Sequence, residues 1–197
     1  MTNVSGSQGS KTTTIQVPGY IPGTYDIDPV HTDVSFTVRH MMVSKVRGKF
    51  HGVTGVIILA ERPEDSTVEA DVDLSTIDTG NAQRDEHMRS ADFFEVATFP
   101  RMTFRSTSVR AKDDDDLVVQ GELTLKGVTR TVDLLLEVHG FAKDPYGNTR
   151  TGFSASTTIN RKDFGVTIDM PMDGGGAVIG DKIQINLEIE AVLRQEQ

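Results

Sequence analysis

His31, His40, His51, His87 and His139 are the side chains of this sequence best suited to bind a metal or move a proton near neutral pH. Their spacing forms no local metal motif: neither H-x-E nor H-E-x-x-H occurs. His31 and His40 are nine positions apart, which puts them on opposite faces of a regular strand. A metal site assembled only in three dimensions stays open. Cysteine is absent, so thiolate nucleophiles, zinc–thiolate sites and disulfides are excluded. No G-x-S-x-G elbow presents a serine for acyl transfer. Gly174-Gly175-Gly176 lacks the Lys-Ser/Thr of a phosphate-binding loop and reads as a flexible loop. Asp113–Asp116 lacks the ligand pattern of a calcium loop and reads as a solvated hairpin tip. The expectation is therefore no catalytic residue, no metal and no cofactor.

The densest ionisable cluster is RDEHMRS, in which Arg84, Asp85, Glu86, His87 and Arg89 fall within six positions. Such a cluster either contacts a polar head group at the mouth of a cavity or stitches a helix to its neighbours through bonds worth about 0.5–1.5 kcal/mol each. Seven of the nine phenylalanines, Phe36, Phe93, Phe94, Phe99, Phe104, Phe153 and Phe164, raise a parallel choice between filling a core and lining a pocket. His40, on an otherwise apolar face, reads as a cavity or core polar group with one hydrogen-bond partner. If the chain were an enzyme instead, His40 or His87 would be its acid–base group.

The elements that must position these residues are mostly strands. In HTDVSFTVRH, Val34, Phe36, Val38 and His40 share one face, and TVEADVDL sends Val68, Ala70, Val72 and Leu74 one way. The closing segment DKIQINLEIEAVL aligns Ile183, Ile185, Leu187, Ile189, Ala191 and Leu193. Further strands are predicted near 23–28, 46–60, 99–110, 116–126, 129–142 and 148–160, joined by turn chemistry at Arg62–Asp65, Lys126-Gly127 and Asp144–Asn148. Gly48, Gly52 and Gly55 mark a bulge or sharp bend in the strand over 46–60. GNAQRDEHMRSADFFE breaks the alternation and predicts a short helix of about 8–10 residues followed by a Phe93-Phe94 turn. A strongly bent meander of antiparallel hairpins predicts an all-β chain whose sheet curls into a barrel.

A length of 197 residues suits one domain, with a polar tail over 1–19 ahead of a folded unit over 20–197. Asp+Glu exceed Lys+Arg by 29 to 20, for a net charge of -9, which argues against nucleic acid and against electrostatic docking on anionic lipid. MTNVSGSQGSKTTT has no apolar stretch of a secretory signal, and no run approaches the ~20 apolar residues of a spanning helix. The expectation is a cytoplasmic protein with no stable membrane insertion.

Six blocks then accumulate in order. Tyr25-Asp26-Ile27-Asp28-Pro29-Val30-His31-Thr32, Val46-Arg47-Gly48-Lys49-Phe50 and Thr79 through Ser90 with Asp92-Phe93-Phe94 are followed by Phe99-Pro100 with Phe104. Gly121–Thr129 and Asn160-Arg161-Lys162-Asp163-Phe164-Gly165 complete the set. Over residues 20–194 this resembles the YceI-like, or polyisoprenoid-binding, family. The resemblance implies a lipocalin-like extended antiparallel β-barrel of about eight strands and non-catalytic binding, storage or transport of an isoprenoid, such as a polyprenyl chain or quinone tail. A homodimer is plausible on the same ground. Strand parity within such a barrel gives a cavity face of Phe36, Val38, His40, Val72, Leu74, Met88, Phe93, Phe94, Met102, Phe104, Leu123, Ile185 and Leu187. Arg84, Asp85 and His87 are the candidates for its polar end. A filled structural barrel acting through surface partners is the remaining alternative.

Overall fold

The computed structural model describes residues 15–112, 116–169 and 178–195. Ten strand segments follow one another: β1 (Gly23–Ile27), β2 (Asp33–His40), β3 (Ser44–Phe50), β4 (Gly52–Leu59), β5 (Thr67–Asp73), β6 (Arg101–Ala111), β7 (Asp116–Leu125), β8 (Val128–Lys143), β9 (Thr149–Asn160) and β10 (Ile179–Leu193). A single α-helix among the described residues, α1 (Ala82–Arg89), lies between β5 and β6. All pairings are antiparallel, and the order β1-β4-β5-β6-β7-β8-β9-β10 closes through β1–β10 contacts such as Tyr25↔Leu193.

β2 continues along β10 beyond β1, from Glu188↔Asp33 to Ile179↔His40, and β3 pairs with β2 as β4 pairs with β1. β1 with β2, and β3 with β4, are thus two long strands each broken by a corner, and the architecture is an eight-strand closed barrel. The strand predicted over 46–60 breaks at His51, where the amides of His51 and Gly52 both donate to Thr76 Oγ1, at 3.2 and 3.1 Å. Gly48 does not make this bend. A Cβ there would lie 2.5 Å from Cζ of Phe36, so glycine lets an aromatic ring rest on the β3 backbone. The other corner is Asp28–Thr32, where Asp28 Oδ1 accepts from the Val30 amide at 3.0 Å and the Asp28 amide donates to Glu190 O at 2.8 Å.

One end of the barrel is plugged. Asn81 caps α1 by accepting from the Arg84 amide, and the chain then turns through Phe93 and Phe94. Phe94 packs on Phe50 (6.1 Å between ring centroids) and Phe50 on Phe36 (5.8 Å), beside Leu74, Ile77 and Phe164, all buried. The short helical turn Arg161–Phe164 is held by Arg161, whose guanidinium is buried. Its Nη1 donates to the carbonyls of Val166 and Ile168, both at 2.8 Å, its Nε to Gly180 O at 3.2 Å, and its Nη2 to Asp181 Oδ1 at 3.0 Å. Of the tail predicted over 1–19, residues 1–14 lie outside the described residues. Ile15 is buried, and the Tyr20 amide donates to Val17 O at 3.2 Å. The predicted loop at Gly174–Gly176 lies outside the described residues, as do residues 113–115 of the acidic tip predicted over Asp113–Asp116, whose last residue begins β7.

Candidate functional site

Inward-facing side chains of the barrel enclose a cavity of about 160 Å³. Alternation supplies its walls: Val68, Ala70 and Val72 on β5, Val132, Leu134, Leu136 and Val138 on β8, Ile185, Leu187 and Ile189 on β10. Val72 pairs with Met102, and Phe104 with Leu123, on the side of the plug. Leu59, Pro63, Ser66, Leu117 and Phe141 lie toward the other end, together with Val17 and Tyr20 from the segment ahead of β1. Among the described residues no charged side chain lines the cavity.

Phe104 reaches the cavity wall because of its neighbour across the sheet. Gly121 leaves room for the ring to lie against the β7 backbone, where a Cβ would come within 2.4 Å of Cζ. Three polar side chains of the lining, Tyr20, Ser66 and Ser106, are hydrogen-bonded within the protein. Ser106 Oγ accepts from the Val68 amide at 2.8 Å, and Ser66 Oγ accepts from the Ala60 amide at 3.1 Å. Tyr20 donates its hydroxyl to Ala60 O at 2.8 Å, so the 3.0 Å contact with Ser66 is a bond donated by the serine. Burial pushes the Tyr20 phenol up, a bond with Ser66 partly opposes this, and Glu61 and Glu64 push it further. Tyr25, fully buried, donates to Ile21 O at 2.9 Å and is also pushed up by burial. Both rings stand edge-on to Phe141. Beside Tyr20, one carboxylate oxygen of Glu64 is buried with no hydrogen-bond partner among the described residues.

At the Asp28 corner, Arg150 bridges three carboxylates: Nε to Asp144 Oδ2 at 2.8 Å, and Nη1 to Asp28 Oδ2 at 2.8 Å and Glu190 Oε1 at 2.5 Å. Bonds from His31 and then Arg150 hold the Asp28 carboxyl well below the usual carboxylate range, and Arg150 with Asn148 does the same for Asp144. Asp28, His31 and Glu190 bring three donor atoms within 4.8 Å of one another, a geometry compatible with a metal. The Arg150 guanidinium already occupies the centre of that charge, so the cluster reads as an ion-pair corner.

The predicted site residues divide by height along the barrel. Val72, Met102, Phe104, Leu123, Ile185 and Leu187 line the cavity. Phe36, Leu74, Met88 and Phe94 join the core cluster around the plug and do not line the cavity, while Val38 and Phe93 are buried outside both, Phe93 against His87. His40 ends β2, is half-buried, and its ring makes no hydrogen bond among the described residues, which corrects its reading as a bonded core group. The polar trio also sits at the plug and not at a cavity mouth. Thr79 donates to Asp85 Oδ1 from its amide (2.9 Å) and its hydroxyl (2.5 Å), while Arg84 donates to Thr79 Oγ1 and O, each at 2.8 Å. His87 pairs with Asp92 at 2.8 Å and stands edge-on to Phe93. The stitched-helix alternative is the one these bonds describe. Leu134, Leu136 and Phe153 were missed as lining residues, although the alternation over 129–142 carried the signal for the first two.

The family model for the YceI-like domain matches residues 25–191. Protein YceI of Salmonella newport is 40% identical over 146 residues, which cover 74% of this chain and 76% of its own. Among solved structures, the Campylobacter jejuni YceI protein superposes with a TM-score of 0.66 at 27% identity, covering 80% of this chain and 90% of that one. A polyisoprenoid binding domain from Saccharophagus degradans superposes with a TM-score of 0.67 at 19% identity, over 86% of this chain and 98% of that one.

Proposed function

Because the chain belongs to the YceI-like domain family and its barrel encloses a cavity that no charged side chain lines among the described residues, we propose that it binds an isoprenoid or similar amphipathic lipid without altering it chemically. The uncharged lining carries this reading. It offers apolar contact along its length and no histidine, carboxylate or lysine to act on a bound chain. The fold shared with a polyisoprenoid binding domain supports the same ligand class.

Magnitudes favour a slender chain. A cavity of about 150 Å³ in an apolar core admits one benzene ring, so about 160 Å³ takes one five-carbon unit and excludes a fused polycycle, and a longer chain enters in single file by parting the apolar side chains along the lining. One five-carbon unit gains roughly 4 kcal/mol on transfer at about 0.8 kcal/mol per carbon. That is at the low end of the cost of association, about 4–15 kcal/mol, so a ligand must engage several units. A polyprenyl chain or quinone tail meets the requirement, carried or stored with its head group at the Tyr20 end. The acidic neighbours Glu61 and Glu64 favour an uncharged head group there.

Gentle purification, denaturation in organic solvent and mass spectrometry of the extract test the reading. A stoichiometric isoprenoid is expected. An empty extract, together with failure of added polyprenyl compounds to bind, overturns it.

A further inference from the structure

The turn joining β2 to β3 is made of residues that a turn of its shape disfavours. Met41 and Met42 have φ of 50° and 60°, in the left-handed region that glycine or asparagine enters at lower cost. The Val43 amide closes the turn on His40 O at 3.2 Å. Met41 is 41% exposed, Met42 60% and Val43 86%. Three consecutive apolar side chains thus stand in water at a hairpin tip where a polar pair would fold with less strain.

Around this tip cations predominate. Arg39 lies directly across from Lys45 in the β2–β3 ladder, an unfavourable pairing of like charges. Arg47 continues the row one pair further on the same face, and Lys182 stands on the adjacent β10. None of these four makes an ion pair or side-chain hydrogen bond among the described residues. By contrast, Arg62, Arg105, Arg110, Arg150 and Arg194 are all paired with carboxylates. Arg39, Lys45, Lys182 and Met42 line a surface groove of about 440 Å³. The acid in that groove, Asp181, is engaged by Arg161 at 3.0 Å and Lys162 at 3.3 Å.

β3 has a largely free edge, and charge on an edge strand discourages pairing with other chains. That accounts for Lys45 and Arg47. It does not account for Arg39 or Lys182, whose strands are paired on both sides, nor for the apolar tip. The acidic groups Glu61, Glu64, Asp65, Asp28, Asp144 and Glu190 lie toward the opposite end, and the acids beside the groove, Asp169 and Asp181, are engaged by Arg161 and Lys162.

We infer that the β2–β3 tip and the cationic groove beside it form a docking surface for an anionic phospholipid bilayer. Met42 and Val43 enter the interfacial layer, while Arg39, Lys45, Arg47 and Lys182 meet lipid phosphates. An apolar insertion combined with a basic patch is the pairing of weak signals that holds a peripheral protein at a membrane. The acidic pole is turned away by the same field, so the cavity end faces water. Docking is therefore independent of what the cavity holds.

Sedimentation of the full chain with phosphatidylcholine vesicles, with and without phosphatidylglycerol, tests the inference. Binding is expected only to the anionic vesicles and is expected to weaken with salt. Arg39→Gln with Lys45→Gln lowers partitioning about thirtyfold, at roughly one unit of surface attraction lost per cation. Met42→Asn also lowers it, and because asparagine suits the left-handed turn, this variant keeps or raises the melting temperature. Equal binding to neutral vesicles, no binding to anionic ones, or binding unchanged in both variants overturns the inference. So does complete displacement by inorganic phosphate at constant ionic strength, which would make the groove a site for free anions.

Discussion

Phe104 lies flat over Gly121, so close that the smallest side chain at position 121 would stand 2.4 Å from the ring's Cζ. The cavity wall and the absence of a side chain on the neighbouring strand are therefore one feature. Gly121→Ala drives the Phe104 ring toward the cavity or strains β7, at about 1–3 kcal/mol of overpacking. The expected result is a lower midpoint in urea and weaker uptake of a lipophilic probe. Phe104→Leu in the same chain recovers most of the stability. A single Gly121→Ala variant as stable and as ligand-competent as the parent contradicts this packing.

Arg161 is the tie between the 161–168 excursion and the start of β10. Its buried guanidinium serves the carbonyls of Val166, Ile168 and Gly180 together with Asp181. Lysine has the charge but not the planar fork. Arg161→Lys therefore leaves several of these acceptors unmet and is expected to cost about 3 kcal/mol, within the range for breaking a buried charged network. Hydrogen exchange checks the location: protection is lost first at residues 178–183.

The barrel was legible in the sequence because period-2 alternation reports directly which face of a strand is buried. Val72, Met102, Phe104, Leu123, Ile185 and Leu187 were found that way. The same rule placed Phe36, Val38 and Leu74 inward correctly but could not give their height. Height depends on cross-strand register and on the corners at Asp28–Thr32 and His51, which no single strand encodes. Arg84, Asp85 and His87 were misplaced for a related reason. A polar cluster on a short helix looks alike whether it meets a ligand or a loop, and here Thr79 lies six residues before Asp85. The β2–β3 tip was passed over because net charge, an average, hid a local cluster of cations.

Asp85 separates those two roles by experiment. Its carboxylate is buried and accepts both hydrogen bonds that Thr79 donates. Asp85→Ala leaves these donors unmet and costs about 1.5–3 kcal/mol, the range for hydrogen bonds to a charged group. The Kd for a prenyl ligand, measured well below the melting temperature, stays within about twofold of the parent, a difference under 0.5 kcal/mol. A large loss of affinity at unchanged stability would return the helix to the ligand site.

The Arg150 corner makes stability depend on pH in a stated direction. Asp28 and Asp144 have folded pKa values held below the ordinary 3.8 by His31 and Arg150, and by Arg150, respectively. Groups depressed on folding contribute stability that is fully present above 3.8 and is lost as pH falls toward their folded values. Arg150→Gln removes much of that contribution. The difference in unfolding free energy between parent and variant is therefore widest at neutral pH and narrows below pH 3.8. A gap that is constant across this window would show that Arg150 acts through packing alone.

Chain length and head-group charge test the cavity together. With about 4 kcal/mol of gross transfer gain per isoprene unit, affinity for prenyl alcohols rises steeply over the first few units. It levels off once the walls between the Phe104–Leu123 pair and the Tyr20 end are filled. Ala155, on β9, lines this space, and Ala155→Leu shortens the usable length so that the plateau arrives at a shorter chain. Among the described residues the lining supplies no cation, and Glu61 and Glu64 stand near Tyr20, so a prenyl diphosphate binds more weakly than the alcohol of the same length. Calorimetric titration of the two series gives both answers. A diphosphate that binds tighter than its alcohol would require a cationic contact that the described cavity does not contain, and would move the head group to the other end of the barrel.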